Sequence, residues 1–171
     1  MEQKVTSHVV KGLILSLILI VYGLALYFTD SLMNKGLGMI QYLIIIGGII
    51  WGCIDYAKQK AGDVTFGNVF GYGFKIAAVI TVILVIYSVL SMNYLFPDMK
   101  EKMLEISRQQ IEQNNKLSEA QIDSMMEMTK KYFTPFMIGG MILAFLFMGV
   151  IGGLLGAVLA KKNPQTPFNQ Q

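Results

Sequence analysis

Four stretches of the chain carry no charged residue: Gly12–Phe28, Leu37–Ile54, Ile76–Phe96 and Phe136–Ala160. Each is apolar on all sides, without the polar face that a helix of a soluble bundle turns to water. Their lengths fall within the roughly 17–25 residues an α-helix needs to cross a bilayer. Strict alternation of apolar and polar positions is missing, which argues against strands. In hydrocarbon every peptide group must be satisfied inside the protein, so only helices or closed barrels span. The pattern predicts an all-α fold, an integral membrane four-helix bundle. The first stretch follows Lys4 and Lys11, as a secretion signal would. It is longer than the apolar core of such signals and ends on Tyr27-Phe28 without a small-residue cleavage site, so it reads as a retained span.

The one long polar segment, Pro97–Thr134, lies between the third and fourth spans. Met99, Met103 and Ile106 recur at helical spacing, and the helix they predict fades at Asn114-Asn115. A second helix has its own start signal: Ser118 with Gln121 makes a capping box, and Leu117 and Ile122 occupy the staple positions. Ile122, Met125, Met126, Thr129 and Phe133 then mark one face. Thr134-Pro135 reads as the N-cap and first-turn proline of the last span. The segment is thus an amphipathic helical hairpin outside the membrane. Residues 161–171 follow the last span as a polar tail.

Composition agrees with this and removes several classes of function. Charged residues make up 15% of the chain, against about 25% in an average soluble protein. The net charge of +3 is small and dispersed, so no nucleic-acid partner is expected. Cys53 is the single cysteine and His8 the single histidine, and a metal site needs several convergent ligands. No nucleotide-binding, metalloprotease, hydrolase-elbow or calcium-loop motif occurs. Glu101, Glu105, Glu112, Glu119, Asp123 and Glu127 interleave with basic residues as a solvated face would, and no two stand out as an acid–base pair. The expectation is a protein that is not an enzyme and has no cofactor, metal or identifiable small-molecule substrate.

Four spans place both termini on one side of the membrane. Basic residues divide equally between the two sides, so counting them does not orient the chain. The acid-poor terminus side, and the placement of Lys4 and Lys11 ahead of the first span with Asp30 behind it, point to cytoplasmic termini in the cell (inner) membrane.

Three sets of residues stand out. Lys75 borders the third span and Asp55 closes the second, so the two can pair at the interface, with Lys75 snorkelling from the helix end as an anchor; a transport or binding role for Lys75 is the alternative. In the last span, Gly149, Gly153 and Ala157 form one series of small residues at intervals of four. Gly152, Gly156 and Ala160 form another beside it, and together they make a smooth ridge for close helix approach. The partner helix belongs either to this chain or to another copy. Methionines Met99, Met103, Met125, Met126 and Met128, with Ile122, give the hairpin an adaptable apolar surface, which either closes the hairpin on itself, lays it on the membrane or receives a partner.

One ordering of residues resembles a known family. The stretch DVTFGNVFGYGFKIAAVI, the span ending MNYLFPDM, a Met/Glu/Lys-rich hairpin containing SEAQID, and a glycine-rich span closing on lysines resemble bacterial membrane proteins of domain-of-unknown-function family 4199. The resemblance covers nearly the whole chain. It implies four spans with the extended segment between the third and fourth, and it implies no activity or catalytic residues. From the residues themselves, the expected function is that of a non-enzymatic accessory, scaffold or envelope component. Its partners would be the lipid bilayer and a membrane protein or second copy. A small oligomeric transporter or channel is the alternative.

Overall fold

The structure, a computed structural model, describes residues 5–31, 34–113 and 117–163. They form five α-helices: α1 His8–Phe28, α2 Lys35–Gln59, α3 Phe66–Leu90, α4 Asp98–Glu112 and α5 Glu119–Leu159. A π-helical turn, Ser91–Leu95, prolongs α3 up to Pro97. No strand occurs among the described residues. Four of these helices, α1, α2, α3 with its π turn, and α5, are long and apolar enough to cross a membrane. The protein is an all-helical, multi-pass membrane protein.

Local chemistry explains the helix ends. Ser7 caps α1 by accepting from the Val9 amide, and Asn34 caps α2 by accepting from Gly36 and Leu37. After α1, Asp30 takes a left-handed conformation (φ 48°), and the Ser31 amide donates back to the Leu26 carbonyl at 2.9 Å. The same closure ends α2, with Ala61 and Gly62 both at positive φ and the Gly62 amide on the Ala57 carbonyl. Thr65 accepts from the Asn68 amide and starts α3. Asp98 and Glu101 put negative charge at the positive end of α4.

The chain forms two compact units, residues 1–83 with 144–171, and residues 84–143. In the first, α2 and α3 run antiparallel at the centre, and each is touched by both α1 and α5. Glycines set the spacing. A Cβ on Gly12 of α1 would meet Val79 of α3 at 2.5 Å, and one on Gly52 of α2 would meet Ile76 of α3 at 2.6 Å. On the other side, the two small-residue series of α5 face different helices. Gly149 sits against Ala77, and Gly153 against Phe70, both of α3. Gly152 sits against Ile49, and Gly156 against Cys53 and Ile50, all of α2. Gly73 completes the seam, where a Cβ would lie 3.1 Å from the Gly153 Cα. Ala157 and Ala160 continue it, both buried. The ridge is used inside the chain.

In the second unit, α4 lies antiparallel to the first turns of α5. Arg108 reaches Asp123 at 3.8 Å, and Lys100 lies 5.9 Å over the Phe133 ring. At the start of α5, Gln121 accepts from the Ser118 amide at 2.9 Å, one half of a capping box. The Ser118 hydroxyl donates to the same Gln121 side-chain oxygen, at 3.2 Å.

Two helix starts differ from the sequence expectation. The helix containing the third span begins at Phe66, ahead of Ile76, because the polar turns before the apolar run are also helical. Lys75 is therefore inside a helix. The last span does not begin at Pro135: α5 runs through that residue from Glu119. A proline removes one backbone donor, and helices that enter the bilayer tolerate this loss. Thr134-Pro135 is then an interior pair. The expected helix end at Asn114-Asn115 and the tail from 164 onward lie outside the described residues.

Glycine contact predicts where a methyl group does harm. Gly156→Ala places a Cβ 2.6 Å from the Cys53 Cβ, whereas the same change at Gly47 of α2 meets nothing within 4 Å. Overpacking of this kind costs about 1–3 kcal/mol. Gly156→Ala should lower the unfolding midpoint in detergent by several degrees, while Gly47→Ala leaves it unchanged or raises it. Equal behaviour of the two variants would contradict the packing described.

Candidate functional site

Helix α1 buries one stripe, Lys11, Gly12, Leu15, Ser16, Leu19 and Leu26. These positions fall on one face of a 3.6-residue helix, and the stripe begins with a charge. The Lys11 side chain is 2% exposed. An ammonium taken from water without compensation costs several kcal/mol, so the arrangement around it must supply partners. It does. Lys11 Nζ lies 2.6 Å from Asp55 Oδ2 and donates to the Gly52 carbonyl at 3.1 Å, both on α2. The rings of Trp51 and Tyr72 stand 5.4 and 5.2 Å from the same nitrogen and offer it their negative faces.

A second tier of polar groups surrounds this pair. Gln59, one turn after Asp55, donates to Asp55 Oδ2 at 2.7 Å and to the Thr6 hydroxyl at 3.1 Å. Its side-chain oxygen accepts from the Thr6 amide, and Tyr72 donates its hydroxyl proton to the Thr6 carbonyl at 2.6 Å. Tyr56 stacks on Tyr72 with centroids 4.2 Å apart, and His8 meets the Tyr72 edge. The segment before α1, the end of α2 and the start of α3 are thus tied at one end of the first unit. Asn163 joins the same end from α5, donating its amide to the Gly62 carbonyl and its side chain to the Ala61 carbonyl.

This corrects the expected pairing of Asp55 with Lys75. Lys75 is exposed, and no ion pair of Lys75 occurs among the described residues. Asp55 turns instead to Lys11, which lies in register with Leu15 and Leu19 and so points into the bundle. No group of residues able to hold a metal occurs among the described residues. The cluster can clamp three helices and hold the Lys11 ammonium away from water against a carboxylate that is partly exposed.

The hairpin carries the second candidate. Met103, Ile106 and Ser107 of α4 and Met125, Met128, Phe133, Phe136 and Met137 of α5 line a groove of about 710 Å³. Of the residues expected to form this apolar surface, Met103, Met125 and Met128 lie there. Met126 does not: it is 6% exposed, because one step along a helix turns a side chain by about 100°. Met99 is half-buried away from the groove. Ile122 lines a separate polar hollow with Arg108, Glu112, Glu119 and Asp123. There the hydrogen bond to Glu112, at 2.7 Å, holds the Arg108 guanidinium above its usual range. Phe136 and Met137 were missed as groove residues, since the sequence assigns them to a span.

The unequal burial of Lys11 and Asp55 predicts unequal mutants. Asp55 is about one-third exposed and can turn to water, so Lys11→Met should cost about 1 kcal/mol. Asp55→Leu leaves a buried ammonium unpaired and should cost about 3 kcal/mol. The double variant should recover most of that loss. Chemical denaturation in detergent checks the cycle, and strictly additive effects would contradict the pairing.

No curated protein and no solved structure matches this chain. A family model does, over residues 11–162, a range that holds the Lys11–Asp55 pair, the hairpin and the glycine ridge. The chain belongs to the family described as Protein of unknown function (DUF4199).

Proposed function

We propose that this protein is a non-enzymatic component of the bacterial inner membrane, with cytoplasmic termini, that works by holding a partner membrane protein through its hairpin. The observation that carries the reading is the groove between α4 and α5. Small-residue contact is already taken up inside the bundle, so the glycine ridge is not free for a second chain. What remains is a methionine-rich surface with Met125, Met128 and Phe136 exposed. Methionine side chains adapt to irregular apolar shapes, as calls for in a surface that accepts another helix. Because Phe136 and Met137 both line the groove and open the apolar run of α5, the proposed occupant is an apolar helix that leaves the bilayer alongside α5.

A photoreactive amino acid at Met128, in the groove, and at Glu127, exposed and outside it, tests this in native membranes. A discrete adduct with one membrane protein should form from position 128 and not from 127, and Met103→Glu should reduce it at least about tenfold, since a buried unpaired charge costs several kcal/mol. Adducts with lipid alone, or a mere second copy of this chain, would overturn the proposed occupant.

The buried Lys11–Asp55 pair favours one second reading, a small transporter, because ionisable groups inside spans often serve ion pathways. Proteoliposome flux that depends on Lys11 would support it. Absence of flux for the intact protein removes it.

A further inference from the structure

At the end of the first unit where α2 and α5 stop, a cavity of about 460 Å³ opens between them. Ile54, Ala57 and Leu159 form its apolar wall, and Lys58, Lys161 and Asn163 its polar rim. We infer that this cavity binds the headgroup of an anionic phospholipid, the phosphate on the two lysines and the start of an acyl chain on the apolar wall. Basic pockets between spanning helices bind anionic headgroups in this way.

Three observations carry the assignment. First, the rim is built and not a chance meeting of surface residues. Gly62 has φ +79°, and the Asn163 amide donates to its carbonyl, so the chain after α5 is fixed to the α2–α3 turn. A Cβ on Gly62 would meet the Asn163 side chain at 2.9 Å. Second, the lysines at this end divide their work. Lys162 turns inward, donating to the Ala157 carbonyl and lying 5.2 Å over the Phe66 ring. Lys58 and Lys161 are exposed, and neither has an ion-pair partner among the described residues. Third, the charge on the rim is of one sign: no acidic residue among the described residues lines the cavity, and Asp55, one turn before Lys58, is already engaged by Lys11 and Gln59. The apolar wall distinguishes a lipid from a soluble anion, since free phosphate has no use for Ile54 or Leu159. The site is independent of the hairpin and of the association reading.

The test uses the full chain in detergent with added phosphatidylglycerol, phosphatidylcholine or inorganic phosphate. Bound lipid is read by native mass spectrometry, and stabilisation by the unfolding midpoint. Phosphatidylglycerol should bind more tightly than phosphatidylcholine, and Lys58→Gln with Lys161→Gln should weaken it by about 30-fold, on the basis of two lysines near a membrane surface. The control pair Lys60→Gln with Lys75→Gln removes the same charge from exposed positions outside the cavity and should leave binding intact. Equal binding of the two lipids would overturn the proposal, as would equal loss in the control pair. So would inorganic phosphate giving the same stabilisation through the same lysines, which would mark a soluble-anion site.

Discussion

Lipid tails are as apolar as leucine, so hydrophobic burial does not draw the spanning helices of this protein together once they are in the bilayer. Close approach has to do it. Along α5, Gly149, Gly152, Gly153 and Gly156 stand where a Cβ would press on Ala77, Ile49, Phe70 and Cys53 of α2 and α3. Dispersion falls steeply with distance, so a seam in which Gly73 and Gly153 nearly touch is worth more than its small area suggests. The same logic recurs on the opposite side, where Gly12, Gly48 and Gly52 bring α1 against α2 and α3.

Polar contact supplies what the glycines cannot, which is direction. The close-packed seam would tolerate a helix sliding by a turn, but the Lys11–Asp55 pair would not. Its ammonium is held by a carboxylate, a carbonyl and two aromatic faces that exist together in only one register of α1, α2 and α3. A buried pair of this kind is weak evidence for stability and better evidence for a fixed arrangement, as in other assemblies where a buried polar group sets register. The polar ties through Thr6, Gln59, Tyr72 and Asn163 gather at the same end, where the loops and helix ends also meet water.

Much of this architecture is readable from the residues because hydrocarbon excludes charge so strictly. The four spans follow from where charges stop, and the small-residue series on α5 from its interval of four. The hairpin follows from Ser118, Gln121 and the spaced methionines. What escapes is the phase of each helix. Lys11 looks like a flanking charge until it is seen to share a row with Leu15 and Leu19. Lys75 looks like its rival until α3 proves to start ten residues earlier and turn Lys75 outward. Thr65, two residues ahead of Gly67, is an N-cap signal for that earlier start, and the apolar run that follows obscures it. Pro135 misleads for a related reason: its dihedral suits a first turn and an interior bilayer helix equally, and only tertiary context decides.

The central claim is that the ridge of α5 is buried against helices of its own chain. Ile49 and Gly152 provide the direct measurement, since a Cβ at Gly152 lies 3.0 Å from the Ile49 Cβ, close to the range a disulfide spans. With Cys53→Ser as background, Ile49→Cys and Gly152→Cys are combined and oxidised in intact membranes. A bridge formed within single chains, leaving the protein the size of a monomer, is the predicted result. Covalent dimers in place of that internal bridge would show that the ridge serves another copy, and would contradict the account.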